Sequence, residues 1–410
     1  MRADLFFSTI AVSVLCVAIT QGGTQQTIDF RTALELARKN NPDWRAAEQE
    51  VEIARGRLTT ARLLSPFNPV IEGQGGGRTI PGEGRGGDYG VGLSMEVEVA
   101  GQRGLRIAEA ERNRQRAEAA FKDFARTFTA KLARAFYQAV FARERLVLLE
   151  RVEALNRRLL EVTRVKFDAG DVSGLEVNVS VVRYSRSRKE TLDAERNLTQ
   201  ALLELRRLIG VEERISPSGT LDVPTPPVSI GDALQRALEN RPDLLARKRE
   251  LDRAESEIAL RRREVFPNPS VGVFFNREAS GERAVAGGIS VPLPLFNRRQ
   301  GELEGLEARR IQARAELLAL EKEIRKEVDQ AASQWEVARK NVDLFQREVI
   351  EQAEENFRLL EVAYRERKID LPRLLIMEND LVSANQAYLD VLLSLQEAAI
   401  RLEEVAGEVQ

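Results

Sequence analysis

The sequence has 410 residues, of which 31% are charged and 6% aromatic, and its formal net charge is −2. This balance suits long solvated helices better than a large globular core, and it gives no support for a nucleic-acid partner. The chain contains no histidine, and its single cysteine is Cys16. Without these side chains the mature part lacks a nucleophile–histidine pair and a soft metal site. We therefore expect no catalytic, cofactor-binding or metal-binding residues.

The first 20 residues have the pattern of a secretory signal peptide. Arg2 precedes an apolar run over 5–19, and small residues follow at plausible cleavage positions. A short membrane anchor is the alternative, although the run is shorter than the ~20 residues of a spanning helix. Whether Cys16 carries a lipid stays open, since Leu15 before it has the wrong size for lipoprotein cleavage. No later apolar run is long enough, so we expect no transmembrane helix in the mature chain.

A first structural unit is predicted over 21–210. A helix runs from Arg31 to Leu64 with a break near Pro42, and further prolines end it. Strands are predicted at 70–78 and 89–99, with a flexible glycine-rich loop between them. In the second strand, apolar residues alternate with small or polar ones. Its apolar positions are Tyr89, Val91, Leu93, Met95, Val97 and Val99.

The rest of this unit is helical. A long helix is predicted over 102–168, followed by a turn and a helix over 173–210. The segment 211–228 contains four prolines and little periodicity, which is typical of a linker.

The second unit, 229–410, repeats the first at an offset of about 200 residues. Arg241-Pro242-Asp243 corresponds to Asn41-Pro42-Asp43. Strands are predicted at 269–277 and 284–295, and helices at 299–367 and 372–406. The long helix has a heptad pattern between Val328 and Val349, which is typical of a coiled coil. The apolar strand positions here include Val285, Ile289, Val291 and Leu293.

The strands have the length and alternation of membrane-spanning β-strands, ~9–11 residues. A soluble sheet lying on a helix is the alternative. Four strands cannot close a barrel, because the smallest transmembrane barrels have about eight. Open edges are not tolerated in lipid, so several chains would have to share one barrel.

These features resemble the TolC family of outer-membrane efflux channels. The two Pro-Asp motifs look like those of the family's first helices, and Pro66-Phe67-Asn68-Pro69 and Phe266-Pro267-Asn268-Pro269 look like its entry into the membrane strands. The segment Gly101-Gln102-Arg103 and the residues 292–298 look most like the branch serving cobalt-zinc-cadmium and copper pumps.

The resemblance implies a mainly α fold with membrane β-structure. Three chains would form a homotrimer, with a 12-stranded β-barrel in the outer membrane of a Gram-negative bacterium. Long helical hairpins would continue as an α-barrel into the periplasm. A periplasmic adaptor protein and an inner-membrane efflux pump would dock at its far end, and the channel would catalyse nothing.

The helix tips are candidate gate sites. Phe167-Asp168-Ala169-Gly170, followed by Glu176-Val177, looks like the family's periplasmic tip, and Asp171 adds a third acid to it. The second tip is mainly basic and contains Arg365, Arg367, Lys368, Asp370 and Arg373. We hypothesise that ion pairs between the tips hold the aperture closed. Solvated turns with ordinary surface charge are the alternative. Glu96 and Glu98 either line the lumen or lie at its periplasmic exit.

Other functions remain open at this point. The same channel fold could serve drug efflux or type I protein secretion. A periplasmic coiled-coil adaptor or scaffold is more remote. An adaptor predicts one hairpin and a lipoyl-like β domain, and a scaffold leaves the amphipathic strands without a role.

Overall fold

A computed structural model describes residues 26–80, 82, 84–224, 230–366, 368–369 and 371–407. The predicted signal peptide, 1–20, lies outside these residues. Two of the candidate tip residues, Arg367 and Asp370, do so as well, and the side chain of Arg365 is not described.

Helices dominate both repeats. The first repeat contains α1 Phe30–Asn40, α2 Pro42–Arg62, α3 Gln102–Asp168 and α4 Gly174–Ile209. The second contains α5 Ile230–Asn240, α6 Pro242–Arg263, α7 Gln300–Leu344, α8 Glu351–Arg365 and α9 Leu371–Ala406. A π-helical segment, Phe345–Ile350, joins α7 to α8. The first hairpin has no such interruption in its 67-residue helix α3.

The break before Pro42 is a helix cap. The Asn41 side chain accepts hydrogen bonds from the backbone N–H groups of Asp43 at 2.8 Å and Trp44 at 3.1 Å. Pro42 has no N–H to lose at the first helical position, so the pair starts α2 in a new direction. Arg241 and Pro242 occupy the same positions before α6.

Short strands connect the start of the first repeat to the segment that follows this repeat. Strand β1, Gln26–Ile28, pairs in parallel with β4, Ile215–Pro217. The buried side chains of Ile28 and Ile215 add to the core. The sequence predicted only a linker over 211–228, because a three-residue strand containing a proline carries no periodic signal.

The other strands form an antiparallel sheet in the order β2-β3-β5-β6, which we call the membrane sheet. Its strands are β2 Val70–Ile80, β3 Gly84–Glu96, β5 Ser270–Arg277 and β6 Arg283–Ser290. The flexible loop predicted between the first two strands, at 79–87, is wrong for most of its length, because the β2–β3 ladder continues as far as the pair of Ile80 and Gly84.

The predicted strand limits also need correction at the helix end of the sheet. Strand β6 ends at Ser290, so Val291 and Leu293 lie outside it. Pro292 and Pro294 have no N–H to donate to the ladder, which explains the early end. Strand β3 ends at Glu96, but the Val97 N–H still donates to the Pro269 carbonyl at 2.9 Å.

The core lies around the middle of the long helices. Phe128 and Phe136 of α3 and Trp335 of α7 are buried there. The Trp44 ring packs edge-on against Phe128 at 5.5 Å. Both repeats contribute to this one core, which therefore joins them into a single body.

A network of ion pairs connects the helices in the same region. Buried Arg241 donates to Asp243 at 2.6 Å and to Glu327 at 2.6 Å. Arg401 of α9 contacts Glu327 and Glu404, each at 3.2 Å. Chain segments from the start of α6, from α7 and from the last helix are thereby tied together. Within the described residues, no helix is both long and apolar enough to cross a bilayer.

Candidate membrane sheet and helix tips

One face of the membrane sheet is apolar and exposed. The register places Leu93 opposite Ile71 on one side and Val273 on the other. Val91 lies opposite Phe275, which in turn lies opposite Val285. The large apolar side chains of this face are solvent-exposed, and Val285 is 75% exposed. The predicted positions Tyr89, Met95 and Ile289 share the face.

The opposite face is polar or small. Ser94 donates to Glu72 at 2.8 Å across β2 and β3, and Gln74 lies 3.5 Å from Asn276. Arg78 contacts Asp88 at 3.0 Å near the turns. A sheet with one bare apolar face and one polar face suits a boundary between lipid and water.

Phe274 is the exception on the polar face. Its ring lies across Gly92 and Gly288 on the two neighbouring strands, where it fills the space that a side chain would need, and it also lies close to Gly272 on its own strand. A large ring that covers adjacent glycines compensates for their missing side chains. Sequence reasoning missed this contact, because Gly92 and Gly288 lie on other strands and no local pattern connects them to Phe274.

Several residues of the apolar face were not among the predicted positions. They are Ile71, Val271, Val273 and Phe275. Strand β2 is rich in glycine, so it shows no alternation by itself. The alternation of β5 was visible, but only the register puts its apolar side with that of β3.

Polar contacts fasten the sheet to the helices. Gln102 at the start of α3 donates to Asn268 at 2.9 Å, and Asn268 donates to Glu96 at 2.9 Å. Glu98 pairs with Arg106 and is largely buried. Glu96 and Glu98 therefore lie at the junction of sheet and helices, which favours the exit location over the lumen.

Below the sheet, α2, α3, α6 and α7 pack side by side and share a charged groove of 760 Å³. Arg116 contacts Glu250 across it at 3.4 Å, and Arg247 contacts Glu316 at 2.6 Å. Among the described residues, no cluster of acidic, histidine or cysteine side chains could hold a metal ion.

The first helix tip is acidic and exposed. The Asp171 N–H donates to the Lys166 carbonyl at 2.8 Å, which closes the end of α3. Gly170 supplies the positive φ of 81° that this cap requires. Asp168, Asp171 and Glu176 all remain on the surface.

The second tip repeats the backbone arrangement. The Lys368 N–H donates to the Ala363 carbonyl at 2.8 Å, as Asp171 does to Lys166 in the first tip. The Lys368 ammonium contacts Glu366 at 2.5 Å. Arg373 is exposed and has an interaction within the chain. Ion pairs from the second tip to the first therefore stay a prediction.

An apolar groove lies beside the tips. It has a volume of 330 Å³ and includes Leu159 of α3, Leu175 and Val179 of α4, and Ile376 of α9. The two hairpins thus leave an uncovered hydrophobic strip near their ends.

A bare amphipathic sheet mounted on long paired helices defines a subunit of a membrane channel. The family model "Outer membrane efflux protein" matches this chain twice, over residues 33–211 and 233–408. The chain belongs to this family, and the two matches correspond to the two repeats. The protein is therefore an efflux channel of the Gram-negative outer membrane that extends into the periplasm.

Individual relatives agree with this assignment. The chain is 25% identical over 389 residues to the cobalt-zinc-cadmium resistance protein CzcC of Cupriavidus metallidurans, covering 93% of this chain and 90% of the relative. Its fold is similar to that of CusC, with a TM-score of 0.74, 19% identity and 92% of each chain covered. It is also similar to the CmeC outer membrane channel of Campylobacter jejuni, with a TM-score of 0.75, 15% identity, and 92% of this chain and 85% of that one covered.

Proposed function

We propose that three copies of this chain form the exit duct of a tripartite efflux pump. The open membrane sheet carries this proposal. Its edge strands, β2 and β6, have no further partner among the described residues, and its apolar face is bare. An apolar face of this kind is unfavourable in water and suits lipid, but lipid does not tolerate an unpaired strand edge. Pairing β6 of one copy with β2 of the next closes twelve strands into a barrel.

The helices would continue the conduit towards the inner membrane. α3 with α4, and α7 and α8 with α9, form two hairpins per chain. Three chains supply six hairpins around a common axis. The apolar groove at the tips, with Leu175 and Ile376, is a suitable seat for a periplasmic adaptor that links the channel to an inner-membrane pump.

The proposed cargo is heavy-metal cations. The relative CzcC is named for cobalt, zinc and cadmium resistance and covers nearly the whole chain. The duct itself is passive and catalyses no reaction, so selection of the ion falls to the pump and adaptor. The groove below the sheet offers a surface lined by charged side chains along this path.

Opening would be controlled at the tips. In a ring of alternating hairpins, the acidic first tip lies next to the basic second tip of a neighbour. Ion pairs of Asp168 or Asp171 with Arg365, Arg367 or Arg373 would hold the ring closed. Each exposed pair contributes only ~0–1 kcal/mol, so the threefold repeat matters.

The test begins with the mature protein purified in detergent. Light scattering gives its oligomeric mass, and a planar bilayer gives its conductance. A trimer with discrete and mostly closed conductance steps supports the duct. A soluble monomer or dimer without membrane activity would overturn it and favour the scaffold.

The cargo needs a separate experiment. A Gram-negative host that keeps a heavy-metal pump and adaptor but lacks their channel is supplied with this chain. Restored tolerance to cobalt, zinc and cadmium supports metal efflux. Restored drug tolerance or protein secretion with the corresponding pumps, and none with the metal pump, would favour the alternatives.

A further inference from the structure

The segments that join strands to helices are strongly basic. We define the helix-side rim as residues 61–69, 97–106, 261–269 and 291–302. These segments contain eight arginines and three glutamates, a net charge of +5 in a chain whose total is −2. The turns at the other end of the sheet, 78–88 and 277–283, carry four arginines and four carboxylates. The two ends of the membrane sheet therefore differ in charge.

The rim glutamates are already matched. Glu98 pairs with Arg106, and Glu264 contacts Arg261 at 2.6 Å and Arg299 at 3.2 Å. Glu302 contacts the same two arginines, and Arg262 binds Glu307 at 2.7 Å.

This pairing leaves rim arginines without a carboxylate. No described carboxylate lies within ion-pair distance of Arg62, Arg103, Arg263 or Arg298, and all four are exposed. Arg103 is engaged with the end of α2, donating to the carbonyls of Arg62 at 3.0 Å and Leu63 at 3.2 Å. Arg263 and Arg298 belong to the second repeat, and their side chains have weaker contacts than the side chain of Arg103.

Each of these two arginines is accompanied by an exposed phenylalanine. The Arg263 guanidinium lies over the Phe266 ring at 5.9 Å from its centroid. The Arg298 guanidinium has one hydrogen bond, to the Pro294 carbonyl at 3.4 Å, and Arg298 follows Phe296 by two residues. Phe296 is 91% exposed. A ring in this state gains free energy from any apolar surface that covers it.

The rim continues the apolar face of the membrane sheet. After Ser290 the exposed side chains Val291, Leu293 and Leu295 follow at the alternation of β6. The apolar surface thus extends beyond the last ladder pair and ends at the arginines. Acyl chains along the sheet would place their head groups at this level.

We propose that Arg263 and Arg298, with Phe266 and Phe296, bind the head groups of anionic phospholipids at the periplasmic side of the outer membrane. This inference rests on the proposed membrane insertion of the sheet. Guanidinium groups bind phosphate oxygens in a bidentate geometry, and the rings cover the adjoining glycerol and first acyl carbons. The excess of rim arginines favours a lipid with a net negative charge over a zwitterionic one.

The test compares two lipids on the detergent-purified, conducting trimer. Native mass spectrometry counts bound phosphatidylglycerol and phosphatidylethanolamine, and free glycerol phosphate serves as a head group without acyl chains. We expect phosphatidylglycerol to be retained preferentially and glycerol phosphate to be lost. The variants Arg263→Gln and Arg298→Gln each weaken phosphatidylglycerol retention about 5-fold.

Control variants separate the rim from general charge effects. Arg85→Gln removes an exposed arginine at the opposite end of the sheet and leaves the preference intact. Phe296→Ser lowers retention of both lipids while the trimer persists. If Phe296→Ser instead dissociates the trimer in lipid-free detergent, a second copy covers the rim, and the proposal is overturned.

Two further results would overturn the proposal. One is equal retention of the two lipids by the wild type. The other is an unchanged lipid preference in a variant that carries both Arg263→Gln and Arg298→Gln. A conducting trimer with no lipid preference refutes the head-group site alone. A chain that neither trimerises nor conducts refutes the proposed duct, so the two failures are distinguishable.

Discussion

Gly210 lies directly against the backbone of Asn41. A Cβ built on Gly210 would be 2.9 Å from the carbonyl carbon of Asn40 and 3.0 Å from the Asn41 nitrogen. The Asn41 side chain donates to the Leu208 carbonyl at 2.9 Å in the same place. Gly407 repeats this approach against Arg241 in the second repeat. The end of each repeat is thus locked onto the start of its own second helix.

Gly210→Ala should therefore destabilise the protein. The residue has φ of 77°, so alanine adds backbone strain to the steric overlap. We expect a loss of about 2 kcal/mol in the free energy of unfolding, measured by denaturant titration in detergent. Gly56→Ala is the control, because that glycine lies inside α2 with open space around it. It should stabilise by ~0.5 kcal/mol or more. Equal effects would argue against the close approach.

Arg241→Gln should lower the free energy of unfolding by more than the removal of a surface charge does. The Arg241 side chain is 5% exposed and holds Asp243 and Glu327, which lose their partner in the variant. Removing one member of a buried ionic network costs about 3–5 kcal/mol. Arg207→Gln removes an exposed partner of Glu204 and should change stability by less than ~1 kcal/mol. Thermal unfolding of both variants in detergent provides the comparison.

The same network predicts an acid-dependent loss of stability. Burial raises the pKa of Asp243, but the hydrogen bond and the charge of Arg241 lower this pKa by more than burial raises it. The pKa of Asp243 therefore lies below its ordinary value. The pKa of Glu327 is lowered against burial in the same way. Their contribution is complete above the unfolded pKa values of about 4 and disappears as pH falls through the lower folded values. Wild type should lose stability below about pH 4 more steeply than Arg241→Gln. If the stability of the wild type and of Arg241→Gln falls in parallel with pH, the acid sensitivity does not come from this network.

Gly92→Val should disrupt the membrane sheet from its polar face. The Phe274 ring occupies the space that any Cβ at Gly92 would need. Overpacking of this kind costs about 1–3 kcal/mol. We therefore expect a lower yield of folded trimer, measured by SDS gel electrophoresis of unheated and heated samples. Gly73→Val is the matched control on the apolar face, where nothing lies within 4 Å. A low yield for both variants would mean that valine is poorly tolerated in the sheet generally.

Val91→Arg tests which face meets lipid. Val91 lies near the middle of β3 on the apolar face, and an arginine there should cost about 2–4 kcal/mol of insertion free energy. Gln74→Arg lies on the adjoining strand but on the polar face, so insertion should change little. The measurement is the fraction of protein that inserts into phospholipid vesicles. If Gln74→Arg instead inserts less than Val91→Arg, the face that we call polar would be the one that meets lipid.

Asp171→Asn combined with Arg367→Gln tests the tip hypothesis. If ion pairs hold the ring closed, neutralising both sides should raise the open probability of single channels. With three copies of a pair contributing ~0–1 kcal/mol each, an increase of about 5-fold or more is expected. Glu150→Gln, an exposed acid on the same hairpin away from the turn, should have no effect. An unchanged open probability in the tip variant would leave solvated turns as the explanation.

Local patterns along the chain are sufficient to predict what class of protein this is. Apolar spacing of three and four residues identified the long helices, and strict alternation identified β3. The repeated Pro-Asp motif exposed the duplication. These signals are local, because helix and strand periods depend only on which side chains face the core. The end of β6 is also a local property, because Pro292 and Pro294 have no N–H to donate and the strand therefore ends at Ser290.

Which residues act together depends on contacts between distant parts of the chain. The register joined Val91 to Phe275 and Val285, and laid Phe274 over Gly92 and Gly288. Folding also brought Arg241 to Glu327 and the end of each repeat onto its own beginning. Such contacts connect residues far apart in the chain, and no periodicity within one segment specifies its neighbour. The apolar face, the charged network and the rim arginines are therefore properties of the assembled fold.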